Sequence, residues 1–332
     1  MSRPPGPSPD PTDLPDLAAI RRAAERIAPH VHHTPVVTSA TLDRLTGARL
    51  WFLCENFQRG GAFKVRGATN AVLSLAEEVA RRGVATHSSG NHGAALALAA
   101  RLRGVPAWVV MPEDAPRVKR EAVAGYGAEV VPCGPTAADR DAAARRVVEE
   151  TGATLVHPYD DPRVIAGQGT ALLDLLAAVP DLDAVVVPVG GGGLASGTAL
   201  AAAEAAPRLR VIGAEPAAAD DAARSLAAGQ RLGHPPGPVA TVADGLKAPL
   251  SERTFQALQS HLHRLVTVDE GDIVAAMRLV WERMKLVVEP SASVVVAALL
   301  ATDLVVALGI PEPRIGVILS GGNVDLDRLP WG

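Results

Sequence analysis

Two separated stretches carry residue types that could do chemistry. Lys64 closes the run Gly60-Gly61-Ala62-Phe63-Lys64, and Val65-Arg66-Gly67-Ala68 follows it. Far downstream the chain reads Val189-Gly190-Gly191-Gly192-Gly193-Leu194. A lysine supplies an amine that condenses with an aldehyde once burial and neighbouring charge make it neutral. A glycine run at a strand-to-helix turn lets backbone N–H groups close on an anion, and the helix N-terminus adds favourable potential. An amine for a Schiff base and a backbone cup for a phosphate are what pyridoxal phosphate (PLP) asks of a protein.

Each stretch alone also has a plainer reading, a surface lysine and a tight turn. The glycine run is not Gly-x-Gly-x-x-Gly, and no acidic residue stands at the ribose-binding distance, so a dinucleotide fits poorly. It also lacks the Gly-Lys-Ser/Thr ending of a P-loop. A third segment, Ser88-Ser89-Gly90-Asn91-His92-Gly93, could grip a carboxylate at a helix start or simply cap that helix. A fourth, Ser320-Gly321-Gly322-Asn323, follows a strand at the end where open α/β sheets place ligands, yet it also suits a common turn. Glu215 and Asp221 could, with a backbone carbonyl between them, hold a hard divalent cation such as Mg²⁺, Mn²⁺ or Ca²⁺, or face solvent.

The elements that must position these residues alternate along the chain. Short β-branched runs mark strands at Leu50–Leu53, Ala85–His87, Ala107–Met111, Glu129–Pro132, Leu155–His157, Ala184–Val189, Val211–Glu215 and Ile315–Leu319. Helical stretches lie between, including Gly67–Arg82, His92–Arg103, Pro116–Tyr126, Ala137–Glu150, Leu194–Ala206 and Glu270–Met284. Strands alternating with helices imply right-handed βαβ units and largely parallel sheets, an α/β protein.

Composition excludes several function classes. Aromatics at 3% leave few stacking platforms for single-stranded nucleic acid, and a net charge of −4 disfavours a phosphate-backbone partner. Cys54 and Cys133 have no close spacing, which points to reduced thiols rather than a disulfide or zinc site. Residues 1–12 are proline-dense and lack an apolar signal-peptide core, so they read as a disordered tail. The apolar stretch Ala292–Ile310 is interrupted by Asp303 and reads as a buried helix, not a membrane span. The expectation is a cytoplasmic protein with a small-molecule substrate, no nucleic acid and no membrane.

These segments, in this order, resemble the fold-type II PLP enzymes of the serine racemase and serine/threonine dehydratase family. Further matching segments are Val164-Ile165-Ala166-Gly167-Gln168-Gly169-Thr170, Ala243-Asp244-Gly245 and Trp281 through Pro290. The similarity runs from about His33 to Asp325. It implies a fold like the tryptophan synthase β chain, with two open, twisted, mostly parallel sheets flanked by helices. It also implies a small domain, 84–158, inserted in a large PLP-binding domain of 13–83 and 159–332, and a homodimer.

The resemblance assigns roles at matching positions. Lys64 would carry the cofactor as a Schiff base and move protons on one of its faces. Gly190, Gly191, Gly192, Gly193 and Leu194 would hold the phosphate. Asn91 would bond the phenolic oxygen, Ser320 would face the pyridine nitrogen, and Phe63 and Gly245 would flank the ring. Ser88, Ser89, Asn91 and His92 lie in the loop expected to grip the substrate carboxylate, and Arg140 matches an arginine that approaches substrate in some relatives. Glu215, the carbonyl of Ala219 and Asp221 fall on the family's divalent-cation site. Because Ser320 is neutral it cannot keep the pyridine nitrogen protonated, which weakens the electron sink and favours early loss of a β-leaving group.

Ser89 divides racemase from dehydratase. Inverting Cα needs a proton donor on the face opposite Lys64, and family racemases place a serine here where many dedicated threonine dehydratases carry alanine. The pattern Ser88-Ser89-Gly90-Asn91-His92 therefore implies a serine racemase that also eliminates water from serine or threonine, as a serine/threonine ammonia-lyase. A threonine/serine or 3-hydroxyaspartate ammonia-lyase without racemase activity is the alternative, and a non-catalytic PLP-binding protein a third. Ala62 stands where many relatives have serine, and Pro158-Tyr159-Asp160 where some racemases have Pro-Asn, so preference for the β-hydroxyl is open at these positions.

Overall fold

The computed structural model describes residues 13–331 except 89, 114, 116 and 236. The tail expected over 1–12 and the proton donor expected at Ser89 lie outside the described residues. The strands are β1 (Val36–Val37), β2 (Arg49–Cys54), β3 (Val84–His87), β4 (Ala107–Pro112), β5 (Glu129–Cys133), β6 (Thr154–Leu155), β7 (Ala184–Pro188), β8 (Arg210–Pro216), β9 (Arg264–Val268) and β10 (Arg314–Leu319). The first helices are α1 (Leu17–Ile27), α2 (Ala40–Thr46), α3 (Lys64–Leu73), α4 (Glu77–Ala80), α5 (Asn91–Arg103), α6 (Arg117–Gly125) and α7 (Ala137–Thr151). They are followed by α8 (Pro162–Ala178), α9 (Gly193–Ala205), α10 (Asp221–Ala228), α11 (Glu252–His261), α12 (Glu270–Met284), α13 (Pro290–Ala301) and α14 (Leu304–Ala307).

Strands in the order β1-β2-β10-β7-β8-β9 make a six-stranded sheet, parallel except for β1. A four-stranded sheet, β5-β4-β3-β6, is parallel throughout. This is the two-sheet, helix-flanked α/β architecture expected above. In β7 every residue is buried, as a central strand covered on both faces requires. Ala292, Val294, Val295 and Val296 of α13 pack on one face with Met277 and Val280 of α12. Ile20 of α1, Leu172 and Leu175 of α8 and Phe255 of α11 cover the other. Each such fully buried aliphatic side chain contributes about 1.5–3 kcal/mol relative to exposure.

The segment Val164–Thr170 turns out to be a packing device inside α8. A Cβ on Gly67 would lie 2.4 Å from Gln168 Nε2, and one on Gly167 would lie 2.6 Å from Gly67 Cα. The backbones of α3 and α8 therefore touch. A Cβ on Gly197 would meet the Gly169 nitrogen at 2.6 Å, so α9 rests on α8 in the same way. Two helices whose first residues are Lys64 and Gly193 are thus indexed to one shared helix.

Several boundaries differ from expectation for local reasons. The stretch Gly67–Arg82 is two helices, because the chain leaves α3 after Leu73 and restarts at Glu77. Val156 and His157 fall outside β6. The Val156 carbonyl accepts from the Thr86 hydroxyl (2.8 Å), and His157 Nδ1 accepts from the Asp160 N–H (2.9 Å) to start a turn. The run Ala292–Ile310 breaks at Thr302 and Asp303 into α13 and α14, and no helix among the described residues is long and apolar enough to cross a membrane. Both cysteines are free and buried.

Candidate active site

Two loops far apart in sequence zip together to form one wall. The Phe63 N–H donates to the Ser320 carbonyl (2.9 Å), Ala62 pairs with Gly321, and the Gly322 N–H donates to the Gly61 carbonyl (2.9 Å). Asn323 Nδ2 donates to the Gly60 carbonyl (2.7 Å). Gly61 has φ +74° and a Cβ there would lie 2.3 Å from Asn323 Oδ1, so only glycine fits this approach.

Lys64 opens α3 from that wall. Its Nζ donates to the Pro158 carbonyl (3.0 Å) and lies 5.0 Å from the centre of the Phe63 ring. Burial lowers its pKa from 10.5 to about 8, with the charge of Glu289 pulling the other way. An amine with that pKa is about one-tenth neutral near pH 7, far more than an ordinary lysine.

The glycine run bridges β7 and α9. Gly192 sits at φ 85° as the N-cap, and no side chain caps the helix, so the first-turn N–H groups are left for another acceptor. Leu194 is buried in that turn. The Tyr159 ring closes one side, since a Cβ on Gly191 would lie 2.4 Å from its Cδ1. On the other side Gly190 approaches Leu246 Cα (2.7 Å from a built Cβ), which draws in Gly245, whose N–H donates to Ser291 Oγ (3.0 Å).

The carboxylate loop leads into α5, which starts at Asn91 with no side-chain cap. Ser88 Oγ accepts from the Gly90 N–H (3.3 Å). Asn91 Nδ2 donates to both Glu289 oxygens (3.0 and 3.1 Å), and its Oδ1 accepts from Asn323 Nδ2 (3.0 Å). His92 is buried, and burial first, then the charge of Lys64, hold its pKa well below the ordinary value. A neutral ring must donate through Nε2 to the Val156 carbonyl (3.2 Å), which leaves Nδ1 as an acceptor without a partner. That ring repels a carboxylate, so any grip by His92 comes from its backbone N–H.

Ser320 is buried at the end of β10. Arg140 sits on α7, donating to the Pro135 carbonyl (3.3 Å), and its charge acts on His87, which places it at the outer edge of the group. Between that edge and the glycines runs an edge-to-face chain of rings. His87 to His157 is 5.2 Å between centroids, and His157 to Tyr159 is 4.6 Å. Burial, then the neighbouring His87, lower His157 to about 4, so it is neutral at physiological pH.

Glu215 near the end of β8 and Asp221 at the start of α10 are both buried, with Ala219 between them in the chain. Glu215 Oε1 accepts from the Ala223 N–H (2.7 Å), and Asp221 Oδ2 accepts from the Leu250 N–H (3.0 Å). Burial, reinforced by the charge of Asp221, pushes Glu215 up to about 8. Asp221 is likewise raised by burial. Two buried carboxylates that disfavour each other's charge are a donor set that fits a hard cation. No cluster of three His, Cys, Asp or Glu side chains suited to a metal occurs among the described residues, so a backbone carbonyl would have to complete this one.

Residues that motif reading missed complete the site. Glu289 is the N-cap of α13, yet its carboxylate makes no cap bond and turns to Asn91 instead. Its signal was an acid set between apolar Leu286–Val288 and the helix-starting Pro290. Arg66, two residues past Lys64, is buried against Glu55 (2.8 Å), Asp174 (2.8 Å) and Thr170 (3.2 Å). Removing one partner of such a buried pair costs about 3–5 kcal/mol, so it anchors the first turn of α3.

Two mostly parallel sheets, with a part-buried lysine of lowered pKa and an open glycine cup, define the class as a fold-type II pyridoxal-phosphate enzyme. The chain belongs to the pyridoxal-phosphate dependent enzyme family, whose model matches residues 27–321. It is 49% identical over 318 residues to a beta-hydroxyaspartate dehydratase of Paracoccus denitrificans (strain Pd 1222), covering 96% of this chain and 99% of that one. It is 47% identical to a serine racemase of Arabidopsis thaliana, covering 95% of each. The solved structure of maize serine racemase superposes with a TM-score of 0.92 at 45% identity, covering 95% of each chain. It is therefore a PLP-dependent enzyme of the racemase and dehydratase family.

Proposed function

We propose that the chain acts on serine-like amino acids, racemising serine and eliminating water from serine or threonine to a 2-oxo acid and ammonia. One observation carries the reading. A part-buried lysine with a pKa of about 8 lies near two uncapped helix starts, α5 and α9. PLP, when bound, supplies a sink for the charge that develops at the substrate Cα.

In this reading Lys64 binds the cofactor aldehyde and takes the Cα proton on one face. Ser89 returns a proton from the opposite face, a role that rests on the sequence pattern. The N–H groups of Gly190–Gly193 and Leu194 hold the phosphate, and Phe63, Gly245 and Ser320 flank the ring and its nitrogen. Ser88 and the backbone N–H groups of Asn91 and His92 receive the substrate carboxylate, because first-turn amides favour anions. Glu215, the Ala219 carbonyl and Asp221 hold Mg²⁺ or a similar cation and stabilise the loop after β8. Residues 84–158, which hold the whole smaller sheet, are taken as a separate lobe, and the enzyme as a homodimer.

A second reading is dehydration of 3-hydroxyaspartate. Support comes from the 49% identical beta-hydroxyaspartate dehydratase, and from Arg140 near His87 at the outer edge, a cation suited to a second carboxylate. The two readings part in one experiment. Purified holoenzyme is given L-serine or 3-hydroxyaspartate, and D-serine, pyruvate and oxaloacetate are followed separately. D-serine with pyruvate supports the first reading. Oxaloacetate alone replaces it with the second.

A further inference from the structure

Glu289 has no role in the reading above, yet its carboxylate is 4% exposed and inside the cofactor cleft. Although it stands at the N-cap of α13, its side chain makes no cap bond. Its main chain instead closes the loop wall, with the Glu289 N–H donating to the Gly321 carbonyl (3.0 Å). A Cβ on Gly321 would lie 2.8 Å from Glu289 Oε1, so the carboxylate lies flat on the backbone beside Ser320.

The hydrogen bonds then settle an orientation. A carboxylate only accepts, so the Asn91 edge at 3.0 and 3.1 Å from it must be the NH₂ group. The opposite edge accepts from Asn323, whose amide is itself tied to the Gly60 carbonyl. Asn91 is thereby clamped between α13 and the loop after β10, and it cannot flip without setting its carbonyl against a carboxylate.

We infer that Glu289 is a positioning residue, which holds the Asn91 side-chain amide in one orientation at the start of α5 by accepting from its NH₂ group. This rests on the assignment of Lys64 and Asn91 to the cofactor. The Glu289 charge acts in a known direction: it favours the protonated nitrogen at position 64. The carboxylate therefore tunes the cofactor linkage as well as holding the asparagine in place.

The test compares wild type, Glu289→Gln and Glu289→Asp as folded proteins reconstituted with PLP. Three readouts are taken: borohydride trapping at Lys64, the Kd for PLP, and the pH midpoint of the near-visible absorbance. Glu289→Gln should lower the midpoint by about one pH unit and weaken PLP binding about tenfold, because the charge is gone and the clamp loosened. Glu289→Asp, which keeps the charge on a shorter arm, should weaken binding while leaving the midpoint within a few tenths. Equal midpoints and equal Kd in wild type and Glu289→Gln overturn the inference, as does an equal midpoint shift in Glu289→Asp. If Glu289→Gln fails to fold, the Kd for PLP in Glu289→Asp still decides, and a Kd equal to wild type overturns the inference. Absence of a trapped adduct in wild type is a separate result, and it removes the cofactor assignment beneath.

Discussion

Lys64 and Glu215 are both driven by burial to a pKa of about 8, from opposite directions. Their neighbours differ. Lys64 has a carbonyl to donate to and an opposite charge, Glu289, that partly restores its proton. Glu215 has a like charge, Asp221, that drives it further from ionisation. A neutral amine is the reactive form of lysine, whereas a neutral carboxyl is a poor ligand. Burial alone therefore does not distinguish a chemical group from a binding group. What differs between the two is the sign of the neighbouring charge.

The largest effect on the Lys64 side is expected at Ser89, the residue proposed to act on the opposite face of the substrate. Ser89→Ala should lower serine racemisation at least about a hundredfold, while elimination from L-serine, which needs only the Lys64 face, falls no more than a few-fold. The ratio of D-serine to pyruvate from one reaction measures both. Equal racemase rates in variant and parent would end the role of Ser89 and leave Lys64 to serve both faces.

On the Glu215 side the effect belongs to stability. Mg²⁺ at about a hundred times its Kd should stabilise the holoenzyme by about 2.7 kcal/mol, and EDTA should reverse this. Glu215→Gln should abolish the response and leave the cofactor absorbance unchanged. A Tm that ignores both chelator and Mg²⁺ would leave the two carboxylates as a paired burial with no cation, and the contrast with Lys64 would lose one half.

The two sides were not equally legible. Lys64, Gly190–Gly193, Ser320 and Asn91 were readable because each sits in a short glycine-marked segment at an element boundary. Backbone demands leave their trace in local sequence there. The contacts of Glu289 and Asn323 with Asn91 were not, because each is a tertiary approach: α13 and the loop after β10 meet the start of α5 across 198 and 232 residues of chain. The ring chain from His87 to Tyr159 was hidden for the same reason. In the fold, the parallel cores were readable from β-branched runs. The short pairing of Val36–Val37 with β2 and the strand Arg264–Val268 were not, since edge strands carry little apolar pattern. The matched segment Val164–Thr170 carries no local sign that it is the packing axis of α3 and α9, because the glycine contacts that make it so are tertiary.

The smallest effect follows from the cost of burying Lys64 without its cofactor. In the unfolded chain the amine takes its proton below its ordinary pKa of 10.5, while in the folded apoprotein it does so only below about 8. A depressed folded pKa means that stability present above 10.5 is lost as the pH falls to about 8. Replacing the amine with an apolar side chain of similar length removes that loss. Cofactor-free Lys64→Met should therefore be more stable than cofactor-free wild type near pH 7, by on the order of 2 kcal/mol, with the advantage shrinking toward pH 10. Urea unfolding of both proteins at the two pH values measures it. An advantage that does not change with pH would trace to packing of the methionine rather than to the proton, and Lys64 would then not be held below its ordinary pKa by its surroundings.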